Sequence, residues 1–317
     1  MMSGKIFKRV VVILMVCAGF FVNSVAYADS IQDIQQYTEQ INSNPTAEAY
    51  LYRGIAYCEL EKYDEAIDDF NKSIELKPND AVAYNNRGFA YFNLKKFVLA
   101  ISDYDKAIEI NPNYDSAYNN RGNVYRDIGQ FDLAIADYNK ALEINPNSAE
   151  VYNNRGIAYY RLEQFDLAMQ DYNKTIELNP NHCNAYTNRG IIYAVQQEYD
   201  LAFAEYNKAL EINPNFDNAY YNRGISYSTL GKYDLAVQDY TKVIELNPND
   251  PSVYYNRANA YLSLEQYEKA IEDATTAIQL YSAWQPYMIR GKCYEALGET
   301  EKAQSDFDKA KELGYEG

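Results

Sequence analysis

The chain has 317 residues, 15% of them aromatic, and a formal net charge of -16. Such an acidic protein disfavours DNA, RNA and anionic lipid headgroups, because those partners are bound by clustered lysine and arginine. Protein or peptide partners that are basic or neutral are the more natural expectation, although the acidity can equally serve solubility alone.

The first 28 residues have the pattern of an export signal. Three basic residues precede an apolar run from Val10 to Val22, and the small-residue pattern Ala26-Tyr27-Ala28 follows. The run is shorter than the roughly 18 to 20 residues that span a bilayer. We therefore predict cleavage before Asp29 and an exported chain, periplasmic or secreted, with no transmembrane segment after cleavage. The basic residues are Lys5, Lys8 and Arg9.

A lipoprotein is the alternative interpretation of this segment. Leu14-Met15-Val16-Cys17 loosely resembles the lipid-attachment box of bacterial export signals. Val16 is larger than the small residue which that box requires before its cysteine.

The segment 29–46 precedes the repeats and predicts one helix. Between Ile31 and Ser43, the side chains of Ile34, Tyr37 and Ile41 fall on one helical face. We expect this helix to cap the exposed side of the first repeat.

A 34-residue unit is repeated from Ala47 onward. The motif Tyr-x-x-Arg-Gly-x-x-Tyr occurs once per unit, with alanine in place of the glycine once, and the seventh unit is one residue short. A period of this length is typical of helical solenoids. Positions within a unit are numbered here from its first residue. The eight units are 47–80, 81–114, 115–148, 149–182, 183–216, 217–250, 251–283 and 284–317.

Each unit predicts two helices. Apolar and aromatic residues at helical spacing lead to a short polar turn, and a second such segment ends before a proline at unit position 32 in most units. Glycine at unit position 8 and alanine at unit position 20 allow the two helices to approach closely. Tyrosine at unit position 11 and the aromatic residue usual at unit position 24 are predicted to form the core between them.

The repeated pattern of aromatic, glycine, tyrosine, alanine, aromatic, small residue and proline resembles the tetratricopeptide repeat. The resemblance covers residues 47–317, and it implies an all-α fold, a right-handed superhelical solenoid of antiparallel helix pairs with the first helices lining a concave groove. In one unit the pattern consists of Tyr152, Gly156, Tyr159, Ala168, Tyr172, Thr175 and Pro180.

One position departs from the family pattern. Unit position 7, commonly leucine in the family, is arginine in all eight units, and unit position 23 on the second helix is always acidic. A partly buried arginine needs a partner, so we predict a repeated arginine–carboxylate pair between the two helices. A ladder of arginines that binds a ligand is the alternative.

The resemblance places unit positions 2, 5, 6, 9, 12 and 13 in the groove, and asparagine is frequent there. A side-chain amide both donates and accepts hydrogen bonds, so a column of amides could bind the main chain of an extended peptide. This resembles the asparagine ladder in the repeats of the O-linked N-acetylglucosamine transferase. Alternatively, the units share asparagine by descent, or the amides bond only to each other and to water. The predicted peptide-binding residues are Asn86, Asn120, Asn154, Asn188, Asn222 and Asn256 at unit position 6, Asn119 and Asn153 at unit position 5, and Asn123 at unit position 9.

Other binding modes and catalysis have little support in the sequence. No lysine stands at unit position 2, where the family's two-carboxylate clamp needs one. The only histidine, His182, follows a proline in a turn, and no phosphate-binding loop, nucleophile motif or metal motif occurs. We predict no enzymatic activity, no cofactor and no metal. Cys58, Cys183 and Cys293 occupy different unit positions and are predicted to be ordinary packed or surface thiols.

These features predict an exported, non-enzymatic module that holds extended peptide segments of partner proteins in its groove. The alternative is a passive scaffold or an envelope-assembly factor that works through its outer face or its ends and can self-associate. In one form of this alternative the protein is anchored to the membrane by a lipid. In the last unit, Gln304 and Lys311 replace apolar residues and are expected to form a polar cap.

Overall fold

The computed structural model describes residues 24–316, with side chains from residue 28 onward. Most of the predicted export signal, including Cys17, lies outside the described residues. The described part of the chain contains seventeen helices and no strand. None of these helices has the length and apolarity needed to cross a bilayer.

A single helix, α1 (Ser24–Ser43), precedes eight pairs of helices. The first helices of the pairs are α2 (Ala47–Glu59), α4 (Ala81–Asn93), α6 (Asp115–Asp127), α8 (Ala149–Arg161), α10 (Cys183–Val195), α12 (Asp217–Thr229), α14 (Pro251–Ser263) and α16 (Trp284–Ala296). The second helices are α3 (Tyr63–Leu76), α5 (Phe97–Ile110), α7 (Phe131–Ile144), α9 (Phe165–Leu178), α11 (Tyr199–Ile212), α13 (Tyr233–Leu246), α15 (Tyr267–Leu280) and α17 (Thr300–Glu312).

The chain forms two compact units, one ending at Leu162 and one beginning at Glu163. In the first unit, α2, α4 and α6 each pack against the helix that follows, and in the second unit α10, α12, α14 and α16 do the same. Within each unit, short turns join the two helices of these pairs, so the partners run antiparallel. The predicted all-α fold of stacked helix pairs is confirmed.

Close approach within a pair depends on the glycine at unit position 8. A Cβ atom added to Gly122 would lie 2.8 Å from Cε1 of Tyr138, which is fully buried. Gly54, Gly88, Gly190, Gly224 and Gly291 face the ring at unit position 24 of their own repeats in the same way. The seventh repeat has Ala258 instead of glycine, and there the ring is also absent, because Ala274 occupies unit position 24. The two positions therefore change together for a steric reason.

Helix α1 packs against α2. The rings of Tyr37 and Tyr52 stack with centroids 5.6 Å apart, and Arg53 donates to the hydroxyl of Thr38 at 3.0 Å. The helix begins at Ser24, before the predicted cleavage point at Asp29, so the start of the mature chain stays a prediction. In the last repeat Gln304 and Lys311 are exposed.

The three cysteines of the described chain are free thiols. Cys58 and Cys293 are buried, and Cys183 is half-buried. Burial raises the pKa of Cys293 to about 11, which keeps it a thiol at neutral pH. The prediction of ordinary packed or surface thiols is confirmed.

Candidate peptide-binding face

The arginine at unit position 7 joins the two helices of its repeat. Nε and Nη2 of Arg121 on α6 donate to the two carboxylate oxygens of Asp137 on α7, at 2.8 and 2.6 Å. The predicted pairs are thus confirmed within each compact unit. The other pairs are Arg53 with Asp69, Arg87 with Asp103, Arg189 with Glu205, Arg223 with Asp239, Arg257 with Asp273 and Arg290 with Asp306.

The same arginine also joins its repeat to the preceding one, which sequence reasoning missed. Nη1 of Arg121 donates to Asp105 on α5 at 2.5 Å. An asparagine, aspartate or threonine near unit position 25 of the preceding second helix supplies this acceptor throughout, and that recurrence was the available signal. The equivalent acceptors are Thr38, Asn71, Asn139, Asn173, Asn207, Thr241 and Thr275.

The guanidinium group is enclosed by rings as well as by acids. The Cζ atom of Arg121 lies 5.6 and 6.0 Å from the ring centroids of Tyr118 and Tyr125. Burial lowers the pKa of Arg121, but the hydrogen bonds and charges of Asp137 and Asp105 outweigh it and hold the pKa above its ordinary value. The arginine is therefore a charged structural group, and this geometry disfavours the alternative of a ligand-binding arginine ladder.

One arginine–carboxylate pair has a different geometry, in which the acid accepts from only one nitrogen of the arginine. Glu205 stands where the other described pairs have aspartate, and both of its carboxylate oxygens accept from Nη2 of Arg189, at 2.7 and 2.8 Å. The buried Nε of Arg189 consequently has no hydrogen-bond partner. A buried donor without a partner costs about 1 to 3 kcal/mol.

We expect Glu205→Asp to stabilise the protein by about 1 kcal/mol, because the shorter side chain can accept from Nε and Nη2 together. The measurement is the urea midpoint, followed by circular dichroism. The reverse change at the matched pair, Asp239→Glu, should lower the midpoint. A lower midpoint for Glu205→Asp would show that the backbone spacing in this repeat requires the longer side chain.

The first helices form the inner side of each compact unit. Consecutive first helices contact each other from α2 to α8 and from α10 to α16, whereas no two second helices of the described chain contact each other to that extent. Unit positions 7 and 8 point at the second helix, so helical geometry directs unit positions 2, 6, 9 and 13 to the opposite side, with 5 and 12 beside them. We call this surface the inner face.

In the first unit, many inner-face amides bond to one another. Nδ2 of Asn120 donates to Oδ1 of Asn85 at 3.1 Å, and Nδ2 of Asn154 donates to Oδ1 of Asn119 at 3.2 Å. Asn119 is only 3% exposed. The sequence left open the alternative that the amides bond to each other. These contacts show such bonding, and each amide uses only part of its hydrogen-bonding capacity in it.

The remaining amides of the first unit also have contacts inside the protein. Asn86 is buried and donates to the carbonyl oxygen of Val82 at 2.8 Å. Asn123 accepts from the hydroxyl of Tyr138 at 2.8 Å, and Asn153 is buried. The inner face of this unit is therefore a hydrogen-bonded surface on which most amides are buried, while Asn120 and Asn123 are half-buried and Asn93 is exposed.

In the second unit the amides are more accessible. Nδ2 of Asn222 donates to the carbonyl oxygen of Asn218 at 2.8 Å, and Nδ2 of Asn256 donates to the hydroxyl of Tyr221 at 3.0 Å. Both side chains are half-buried, as is Asn188. These bonds fix the amides in one orientation, and no hydrogen bond within the described chain is donated to Oδ1 of Asn222 or Asn256.

Apolar side chains stand beside these amides. Val195 on α10 is 51% exposed and Ile225 on α12 is 38% exposed, at unit positions 13 and 9 of the inner face. The inner face of the second unit thus combines hydrogen-bond acceptors with exposed apolar groups, which is the usual composition of a ligand-binding surface.

No group of three or more metal-ligating side chains comes together between residues 24 and 316. His182 precedes α10, and its Nδ1 accepts from the backbone N–H of Ala185 at 3.2 Å, which gives it a capping role.

Family models described as TPR repeat and tetratricopeptide repeat match almost the whole repeated region. The matches are residues 54–95, 122–163 and 192–231; 81–114, 149–182 and 218–250; 103–136, 171–204 and 239–272; and 285–313. The chain belongs to the tetratricopeptide repeat family.

Solved structures agree with this assignment. The chain is similar to a tetratricopeptide repeat protein from Parabacteroides merdae, with 26% identity and a TM-score of 0.56, over 74% of this chain and 94% of that one. It also shares its fold with a chain of the APC/C hetero-tetramer Cut9-Hcn1, with 18% identity and a TM-score of 0.65, over 89% of this chain and 52% of that one. A search of curated protein sequences finds no match.

These repeats make the protein a protein-interaction module. The tetratricopeptide fold is generally a non-enzymatic scaffold for protein interactions.

Proposed function

We propose that the inner face of this tetratricopeptide repeat protein binds extended peptide segments of partner proteins without chemical change to them. The observation that carries the proposal is the pair of oriented amides, Asn222 and Asn256, which are half-buried and whose Oδ1 atoms accept no hydrogen bond within the described chain.

The chemistry of an extended peptide suits such amides. Its main chain offers N–H and C=O groups at regular spacing, and an amide oxygen accepts from an N–H whatever side chain follows. Exposed Val195 and Ile225 provide contact for apolar side chains of the same segment. The remaining predicted residues, Asn86, Asn119, Asn120, Asn123, Asn153, Asn154 and Asn188, either hold the inner face together or extend it.

The test is capture of partners by residues 29–317 from an extract of the cells that make the protein, beside the variant Asn222→Ala with Asn256→Ala. Losing two hydrogen bonds should weaken partner binding about tenfold. The control, Leu133→Ala with Leu201→Ala, changes exposed side chains on second helices and should capture the same partners as the wild type. Equal capture by all three proteins would refute a role for these amides.

We also propose that the protein is exported, on the strength of the sequence pattern before Asp29. The measurement is the N-terminal residue of the protein isolated from its native cells. Asp29 is expected, while lipid attached to Cys17 would establish the lipoprotein alternative and an uncleaved Met1 would contradict export.

One observation favours the alternative of a scaffold that works through its ends. In the preceding repeats, the residue near unit position 25 accepts a hydrogen bond from the arginine of the next repeat. In α17 the corresponding residue is Asp308, which accepts from Gln304 at 2.8 Å. Asp308 also borders a shallow cavity together with Arg290 and Tyr287. A second copy could supply a hydrogen-bond donor to this exposed carboxylate. Asp308→Ala would then abolish self-association, which analytical ultracentrifugation measures, and would leave partner capture intact.

A further inference from the structure

The inner face of the second unit is uncharged along α10, α12 and α14, although the protein is strongly acidic, and charged residues stand at its inner-face positions only on α16, as Lys292 and Glu295. Helices α10, α12 and α14 contain only four charged residues, and none of them stands at an inner-face position. Every residue at unit positions 2, 5, 6, 9, 12 and 13 of these three helices is polar and neutral or apolar. The four charged residues are Arg189, Asp217, Arg223 and Arg257.

Those four charges are engaged elsewhere. The three arginines face the second helices and are bonded to Glu205, Asp239 and Asp273. The carboxylate of Asp217, the first residue of α12, accepts from the backbone N–H of Asn218 at 2.8 Å. No compensating charge therefore reaches the inner face from these helices.

The inner face of the first unit differs in charge. Arg126 and Asp127 on α6, and Glu150 and Arg161 on α8, stand at inner-face positions. The second helices of the second unit, here called the outer helices, carry exposed acids such as Asp200 and Asp234. The neutral surface is therefore a local property of the inner side of α10, α12 and α14, and the acidity of the second unit is carried mainly outside it.

We propose that the segment bound by the inner side of α10, α12 and α14 is itself uncharged, with apolar side chains that contact Val195 and Ile225. This inference rests on the proposed function, since it specifies the peptide that the inner face binds. A charged side chain would lose hydration against this surface and find no opposite charge in return, whereas a neutral segment loses only apolar hydration, which is favourable. Basic segments would be attracted to the acids on the outer helices instead.

The affinity for an uncharged peptide should depend little on salt concentration. Interactions between charges are screened by added salt, but hydrogen bonds and apolar contacts of an uncharged peptide are not. The Kd of a bound peptide should change by less than about twofold between about 0.05 M and about 0.5 M sodium chloride.

The experiment selects ligands for residues 29–317 from a displayed library of random dodecapeptides and measures Kd by isothermal titration calorimetry. Two opposite charges are then placed at one inner-face site, as Ile225→Glu and Ile225→Lys. The matched controls are Leu235→Glu and Leu235→Lys on α13, because Leu235 is 39% exposed and Ile225 is 38% exposed. All four variants are checked for an unchanged circular dichroism spectrum.

The inference predicts selected peptides without charged residues, a loss of about tenfold in affinity for both Ile225 variants and no change for the Leu235 variants. Basic peptides that bind more tightly to Ile225→Glu and more weakly to Ile225→Lys would overturn the inference and leave the proposed function standing. Failure to select any peptide, or binding that only the Leu235 variants lose, would overturn both.

Discussion

Arg121→Leu is expected to lower the free energy of unfolding by about 3 to 5 kcal/mol. The substitution leaves Asp137 buried without its bidentate partner and removes the contact to Asp105 in the preceding repeat. It therefore breaks a connection within one repeat and a connection between two repeats at the same time. The measurement is the urea midpoint followed by circular dichroism.

The matched controls separate a buried pair from a surface pair. Arg121→Leu combined with Asp137→Leu should recover much of the loss, because no uncompensated charge then remains in the interface. Lys140→Ala removes only the partly exposed ion pair with Glu143 and should leave the midpoint almost unchanged. An unchanged or higher midpoint for Arg121→Leu alone would contradict the structural role of the arginine.

Gly224→Ala is expected to destabilise the protein by about 2 to 3 kcal/mol, a large effect for the addition of one methyl group. The new Cβ atom would lie 2.8 Å from Cε1 of Tyr240, whose ring is buried and cannot move away without loss of packing. Thermal unfolding followed by circular dichroism measures the change.

The seventh repeat provides the reciprocal test. Ala274→Tyr should be strongly destabilising there, because Ala258 occupies the position where the other repeats have glycine. Ala274→Tyr with Ala258→Gly should restore most of the lost stability, since it recreates the arrangement of Gly224 and Tyr240. If the double variant were no more stable than Ala274→Tyr alone, the steric account of these two positions would be wrong.

Much of the fold follows from the sequence because the repeat fixes which residues are equivalent. Eight copies of one pattern place an arginine and an acid at fixed positions of paired helices, so the pair between Arg121 and Asp137 could be predicted. The bond from Arg121 to Asp105 could not be derived in the same way, because it depends on the distance between neighbouring repeats, which the period does not give.

The candidate site was predicted less completely for a related reason. The column of asparagines is evident in the sequence, but whether an amide faces a neighbouring amide or the surface depends on the residue beside it in the preceding repeat. Asn85 and Asn119 provide that neighbour in the first unit, whereas Tyr221 does so for Asn256 in the second. Identical asparagines therefore differ in their hydrogen-bond partners, which the column of asparagines in the sequence does not reveal.

Site-specific photocrosslinking determines whether partners bind on the inner face. A benzophenone amino acid is placed at Val195 on the inner face, or at Leu201 on a second helix of the same repeat, with 51% and 48% exposure respectively. If partners bind on the inner face, a captured partner crosslinks from position 195 and not from position 201. Crosslinking from position 201 alone would place the partner on the second helices and rule out binding on the inner face.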